Sequence, residues 1–473
     1  MRKAMASLLL VLVVALAACA APAPTSTPVP PATTAPVQPT AAPAQPTAAP
    51  AQPTAAPATK APATTAPTTA PTTAPAATTA ATSAAAKGSI KIGVIAPTTG
   101  NFAANGQTMI NGWKLWFDKN GYTVAGRQIE VFYEDDAANP DTTLSKARLL
   151  VDQRQVNMIV GPLAANTGLT LAEYAKTLKI PVFMPIVSAD DLTQRARVPN
   201  VIRIAGWTSS QTTHPFGEWA YQKGYRKAVT VGQDFAFGHE TVAGFARTFS
   251  ESGGQILAQI WHPIGAPDFG PYFAQIQSLN PDVVFIQESG GDTVKFIKSW
   301  SDFGLKGKIA LLTNQTATDQ SALGTMGPEA EGIISVGHYA EGRDDPVTQA
   351  FVADYDKAYQ KLPSYYAADM YTAARIISEA IAKVNGNVED TANFIKVVTA
   401  SDLSNTPMGP EKMDDYGNPI ENVYLRQVAK RPDGRLWNIV TFTWPAVSQF
   451  WKYKPEDFLK NPVYSRDFQG IKK

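Results

Sequence analysis

One cysteine, Cys19, and four histidines, His214, His239, His262 and His338, carry most of the nucleophilic and metal-ligating chemistry open to this 473-residue chain. A lone cysteine excludes a disulfide framework and leaves the rest of the chain without a thiol. The histidines show no ligand spacing, and no G-x-S-x-G, H-E-x-x-H or Walker pattern occurs. Catalysis is therefore not expected, and no catalytic residue, cofactor or metal is assigned. What remains is binding chemistry. Polar clusters directly follow apolar runs at Thr98-Thr99-Gly100, Asn166-Thr167, Ser188, Gln233-Asp234, Glu288-Ser289 and Asn314-Gln315. Loops are polar in any case, so these clusters are compatible with a small-molecule site without requiring one.

The elements that would position them follow from hydrophobic patterning. Val- and Ile-rich runs at 90–96, 129–133, 156–160, 182–187, 201–204, 228–231, 256–261, 283–286 and 309–312 read as buried strands. Helix-length segments separate them. Asp141 fits an N-cap ahead of Leu144, Ala147, Leu150 and Val151, and Asp292 fits another ahead of Val294, Phe296, Ile297 and Trp300. Strand–helix alternation predicts α/β architecture with parallel sheets covered on both faces. So many strands suit two doubly wound sheets better than one, with ligand at the carboxyl ends of the strands.

The N-terminal part is of another kind. Arg2 and Lys3 precede a short apolar run that ends in Leu16-Ala17-Ala18-Cys19. This pattern resembles the lipobox of bacterial lipoproteins, which implies a signal peptide over 1–18, lipidation of Cys19 and anchoring outside the cytoplasm. Residues 20–87 are low-complexity Pro/Ala/Thr sequence. Gln38-Pro39-Thr40-Ala41-Ala42-Pro43-Ala44 recurs from Gln45, and Thr64-Thr65-Ala66-Pro67 recurs from Thr68. With no large side chains to bury, 19–87 is expected to be a disordered linker. At ~3.1 Å per residue in polyproline II it would reach about 200 Å fully extended. Net charge is +1, with no basic stripe, so nucleic acid is not an expected partner. No later apolar run approaches a membrane span before Lys473.

Ile92-Gly93-Val94-Ile95-Ala96-Pro97-Thr98-Thr99-Gly100 resembles the opening of type I periplasmic solute-binding proteins, the branched-chain amino acid receptors of ABC transporters. Glu134-Asp135-Asp136 with Asn139-Pro140, Ile159-Val160-Gly161-Pro162, Ile180-Pro181-Val182, Phe237-Gly238 and Asn280-Pro281-Asp282 continue the series in order. Gly290-Gly291-Asp292, His338-Tyr339 and Met408-Gly409-Pro410 look closer to a subgroup associated with aromatic carboxylates. The resemblance implies two lobes joined by three crossings. Lobe one would hold 88–206 and 338–410, lobe two 207–337 and 411–445, with 446–473 as a C-terminal extension.

It also implies a site. Ala165, Asn166 and Thr167 open a helix at the position that holds the ligand carboxylate, where backbone N–H groups and the helix dipole favour an anion. Ser188 matches a hydroxyl donor to that group and Ile186 a backbone contact. Phe237 falls where lobe two has an aromatic over the ligand. Asn105 falls where lobe one has another, and Glu288, Ser289, Gln315 and Tyr339 complete the expected set. Each has a plainer reading: Asn166 and Ser188 as helix caps, Phe237 as a core aromatic. No acidic residue stands near Gln315-Thr316, where the ammonium of an amino acid would be received; Asp234, Glu288 and Asp292 are the substitutes on offer. An unpaired buried ammonium costs several kcal/mol, on the order of 3–5, which argues against simple leucine specificity and leaves room for an acid without an amine or an amide-bearing ligand.

The expected function is therefore an extracytoplasmic solute-binding receptor of an ABC importer, taking a small carboxylate or amino-acid-like solute in the cleft between the lobes, partnered by permease and ATPase subunits and held to the membrane through Cys19. The alternative is a ligand-sensing receptor for small acids or amides without transport.

Overall fold

The structure, a computed structural model, describes residues 88–471. The signal segment 1–18, Cys19 and the 19–87 linker lie outside the described residues. Two sheets organise the rest. The first contains β1 (Ile90–Ile95), β2 (Thr123–Val124), β3 (Arg127–Glu134), β4 (Met158–Val160), β5 (Val182–Phe183) and β6 (Val201–Ile202), in the order β2-β3-β1-β4-β5-β6. All pairs are parallel except the β2–β3 hairpin. Helices Ala103–Asn120 and Tyr365–Lys383 pack together over it, and their Trp113, Phe117, Ile376 and Ile377 share one core with Ile92 and Val94.

The second sheet contains β7 (Lys227–Gln233), β8 (Gln255–His262), β9 (Val283–Gln287), β10 (Ala310–Asn314), β11 (Ile334–Gly337), β12 (Glu411–Met413), β13 (Pro419–Lys430) and β14 (Leu436–Val447). Its order is β12-β13-β11-β10-β9-β7-β8, with β14 on the free side of β13. The chain is thus a two-lobe α/β protein, and all nine expected strands are present. Sheet two is mixed, however, because β12, β13 and β14 run antiparallel. The run expected at 182–187 ends as a strand at Phe183, since Pro185 has no N–H to donate.

Two expected caps are corrected. Asn139, not Asp141, caps the helix Pro140–Arg148 by accepting from Thr142 N, with Pro140 at the first helical position. The helix Gly291–Asp302 starts from Gly290, whose φ of 66° suits glycine; Asp292 lies inside its first turn. The last residues fold onto lobe two, where Phe450, Phe458 and Tyr464 pack with Ala243. No helix among the described residues is long and apolar enough to cross a membrane.

Candidate functional site

Strand β4 ends at Val160, and Gly161 to Ala164 lead into the helix Ala165–Ala175. Ala164 is its N-cap and offers no side-chain cap bond. Gly168 N donates to Ala164 O at 2.9 Å, so the amides of Ala165, Asn166 and Thr167 have no acceptor within the helix. Ala164 and Ala165 border a narrow, partly enclosed space between the lobes. A roomier depression beside β8 and Arg466 is a polar groove more open to solvent, which makes the cleft cavity the better candidate.

Lobe one contributes Phe102, Leu163, Ile186, Ser188, Tyr365 and Tyr366 to the cavity, and lobe two contributes Phe235, Phe237 and Ser289. No charged side chain lines it. The Ser188 hydroxyl accepts from Ser209 Oγ at 3.1 Å, which leaves its own proton free to donate. Tyr365 and Tyr366 stack at 3.9 Å between centroids, and Phe237 meets Phe235 and Trp207 edge-on at 5.9 and 5.7 Å. Trp207 is buried, with its indole N–H unpartnered, and lies against His338 and Tyr365 as well. Five expected residues therefore border the cavity: Ala165, Ile186, Ser188, Phe237 and Ser289.

Six others do not line it. Asn105 instead bridges the lobes, donating from Nδ2 to Ser321 Oγ at 2.8 Å. Asn166 is half-buried with Oδ1 unpartnered, and the Thr167 hydroxyl donates back to Ala164 O at 2.8 Å. Gln315 is buried and donates to His338 Nδ1 at 2.8 Å. Tyr339 packs against Phe351, with its carbonyl accepting from Arg426. Glu288 turns away from the cleft onto His262 Nε2 at 2.7 Å, and burial pushes its carboxyl up to about 7. Phe102, Leu163, Ala164, Phe235, Tyr365 and Tyr366 are the lining residues that sequence reasoning missed.

None of the three substitute ammonium acceptors serves the cavity. Asp234 pairs with His239 and Arg466 near the surface. Asp292 Oδ2 accepts from Gln233 Nε2 and Gly265 N, at 2.8 and 2.7 Å. His262, Glu288 and Asp292 form the one group among the described residues with the composition and proximity to hold a metal ion.

Buried acids also collect at Asp369, Glu411 and Glu421. Burial raises Glu411 to about 8; burial, then neighbouring carboxylates, hold Glu421 and Asp369 well above their usual range. Burial holds His214 and His338 well below the ordinary imidazole value of 6.5. A folded acid with a raised pKa binds a proton that the unfolded chain has lost, so stability should fall as pH climbs to about 8. Each such acid contributes about 1.4 kcal/mol per pH unit. Below 6.5 the two histidines oppose, because only their unfolded forms take up protons. Melting temperature should therefore rise by a few degrees from pH 8 to pH 6.5, with the gain weakening below. A higher value at pH 8 would count against proton-bearing acids at these positions.

A family model described as periplasmic binding protein matches residues 89–434. Leu/Ile/Val-binding protein homolog 6 of Brucella melitensis is 29% identical over 355 residues, covering 74% of this chain and 90% of that protein. An ABC-transporter solute-binding protein from Rhodopseudomonas palustris BisB5, solved with 3,4-dihydroxybenzoic acid, is 30% identical with a TM-score of 0.73. That match covers 76% of this chain and 98% of the other. A second, from R. palustris with benzoate, is 28% identical with a TM-score of 0.72, covering 76% and 98%.

Proposed function

The chain belongs to the periplasmic binding protein family, and from that premise we propose that its cleft takes a small aromatic carboxylate lacking an amine. The protein is an extracytoplasmic solute-binding receptor of an ABC importer, not an enzyme. The observation that carries the ligand reading is a cavity walled by aromatics, free of charged side chains and closed at one end by a helix N-terminus. A carboxylate there accepts from the Ala165–Thr167 amides and the Ser188 hydroxyl. The helix dipole supplies the compensating charge. The ring lies between Tyr365 and Tyr366 of lobe one and Phe235 and Phe237 of lobe two. An amino acid would bring an ammonium into this space with no counter-charge. The 3,4-dihydroxybenzoic acid and benzoate carried by the R. palustris proteins support the same class.

Closure then works by differential affinity. Solute that touches both lobes binds the closed form more tightly than the open one and shifts their balance, and the permease reads the closed surface. In this reading the chain crosses between lobes near 206–207, 337–338 and 410–411. Lipidated Cys19 and the 19–87 linker keep the receptor at the membrane; a mature N-terminal peptide without lipid mass on Cys19 would remove that part.

The test is a melting screen against benzoate, hydroxybenzoates, leucine and valine. At a hundredfold excess over Kd a true ligand adds about 2.7 kcal/mol. Shifts are expected with the aromatic acids alone. Stabilisation by leucine or valine with none from benzoates would overturn the ligand class.

A further inference from the structure

We propose that His262, Glu288 and Asp292 bind one first-row divalent cation, zinc foremost, behind the lobe-two wall of the cleft. The three residues meet at the carboxyl edge of sheet two. His262 ends β8, Glu288 follows β9, and Asp292 sits in the first turn of the helix after it. Strand β7 runs between β8 and β9, and its last residue, Gln233, pairs with His262 in register. All three side chains are fully buried, at most 1% exposed, and one donor atom from each lies within 4.8 Å of the others.

The surrounding bonds leave the donors unused in the manner of a ligand set. His262 Nδ1 donates to the Pro263 carbonyl at 2.9 Å, which fixes Nε2 as the nitrogen facing Glu288 Oε1 at 2.7 Å. A backbone acceptor on the distal ring nitrogen is the usual partner of a metal-bound histidine. The contact between Nε2 and Oε1 needs a proton, and that proton stands where a cation would. Placing it still leaves Glu288 Oε2 and Asp292 Oδ1 without a hydrogen-bond donor. The nearest counter-charge to Asp292 Oδ1 is Lys295 Nζ, 3.8 Å away on a half-exposed chain. Meanwhile Gln233 Nε2 and Gly265 N hold Asp292 Oδ2 in place from outside. A pair that only shared a proton would not account for two orphan carboxylate oxygens in one fully buried cluster.

One imidazole nitrogen and two carboxylate oxygens suit zinc, with bonds of ~2.0–2.2 Å, better than the all-oxygen shells of calcium or magnesium. Seating the ion asks His262 Nε2 and Glu288 Oε1, now 2.7 Å apart, to open slightly and Asp292 to draw in, shifts of about 1 Å or less. Binding releases the shared proton to solvent, and water completes the shell. The exposed loop at 263–265 covers the cluster and supplies the way in. Gln233 also touches Ser289, donating to its carbonyl at 3.1 Å and accepting from its hydroxyl. The ion therefore stiffens the wall that Ser289 presents to the cavity.

The test uses the full chain carrying Cys19→Ser, to remove the thiol, stripped with chelator and dialysed against micromolar zinc sulfate. One retained zinc per chain is expected by elemental analysis, with an X-ray absorption edge showing nitrogen and oxygen ligands. Glu288→Gln and Asp292→Asn, on separate elements and checked for folding by circular dichroism, should each weaken retention at least tenfold. No retained zinc in the parent chain, or an equivalent that survives both substitutions, overturns the proposal.

Discussion

Replacing Ala165 by aspartate is expected to lower affinity for an aromatic carboxylate at least a hundredfold while the lobes stay folded. Ala165 is the first residue of the helix Ala165–Ala175, borders the cavity and is 2% exposed. An aspartate there delivers its own carboxylate to the amides that the solute needs. It also sets a like charge within a few ångströms of the incoming one. Losing the helix-terminus contact and adding that repulsion amounts to about 3 kcal/mol or more, and each 1.4 kcal/mol is tenfold in Kd. Ala165→Asn separates charge from bulk, since it adds nearly the same volume without the anion. Calorimetric titration with benzoate should rank the original chain first, Ala165→Asn second and Ala165→Asp last. Equal losses in both variants would mean that bulk, and not charge, governs the position.

The second large effect concerns folding. Gly161 has φ of 102°, a conformation that disfavours every L side chain, and an added Cβ would overlap the Ile95 carbonyl oxygen. Its amide donates to Phe183 O at 2.9 Å, so the backbone here is held on both sides by the sheet. Gly161→Ala combines backbone strain with a clash against main chain that has nowhere to go. The expected cost is on the order of 4 kcal/mol or more, a large share of the 5–15 kcal/mol that holds an ordinary domain together. Urea denaturation should show a sharply lower midpoint, or the variant should fail to accumulate. A midpoint near that of the original chain would show that strand β4 tolerates a shift that this geometry forbids.

These two positions flank what the sequence made legible and what it hid. Nine of the ten parallel strands announce themselves as short Val/Ile-rich runs; β11, parallel to β10, is only Ile334-Ser335-Val336-Gly337 and carries too little of that pattern. Strand β13 does not announce itself either: it carries Arg426, fully buried and bonded to Gln315 O, Tyr339 O and Ser335 Oγ, so its inner face does not read as apolar. In the cavity, Ala165, Ile186, Ser188, Phe237 and Ser289 follow strands closely, so position along the chain reveals them. Their neighbours mislead, because adjacent extended residues point to opposite sides: Ser289 faces the cleft and Glu288 faces His262. Tyr365 and Tyr366 come from a helix that enters from far along the chain. Their only local signal is an aromatic pair just after Ser364, which caps that helix by accepting from Ala367 N. The histidine cluster was invisible for a related reason, since His262, Glu288 and Asp292 are adjacent only across strand ends.

Trp207 would give the proposed closure an optical signature. Its indole is buried, with no protein partner for its N–H, between Phe237 of lobe two and Tyr365 of lobe one. Separating the lobes removes one of those walls and admits water to the ring, which moves indole emission to longer wavelength. The chain has nine tryptophans, so the signal is read as the difference from Trp207→Phe. Opening and closing thus become a colour change native to the chain, fast enough for stopped-flow mixing and free of any attached dye.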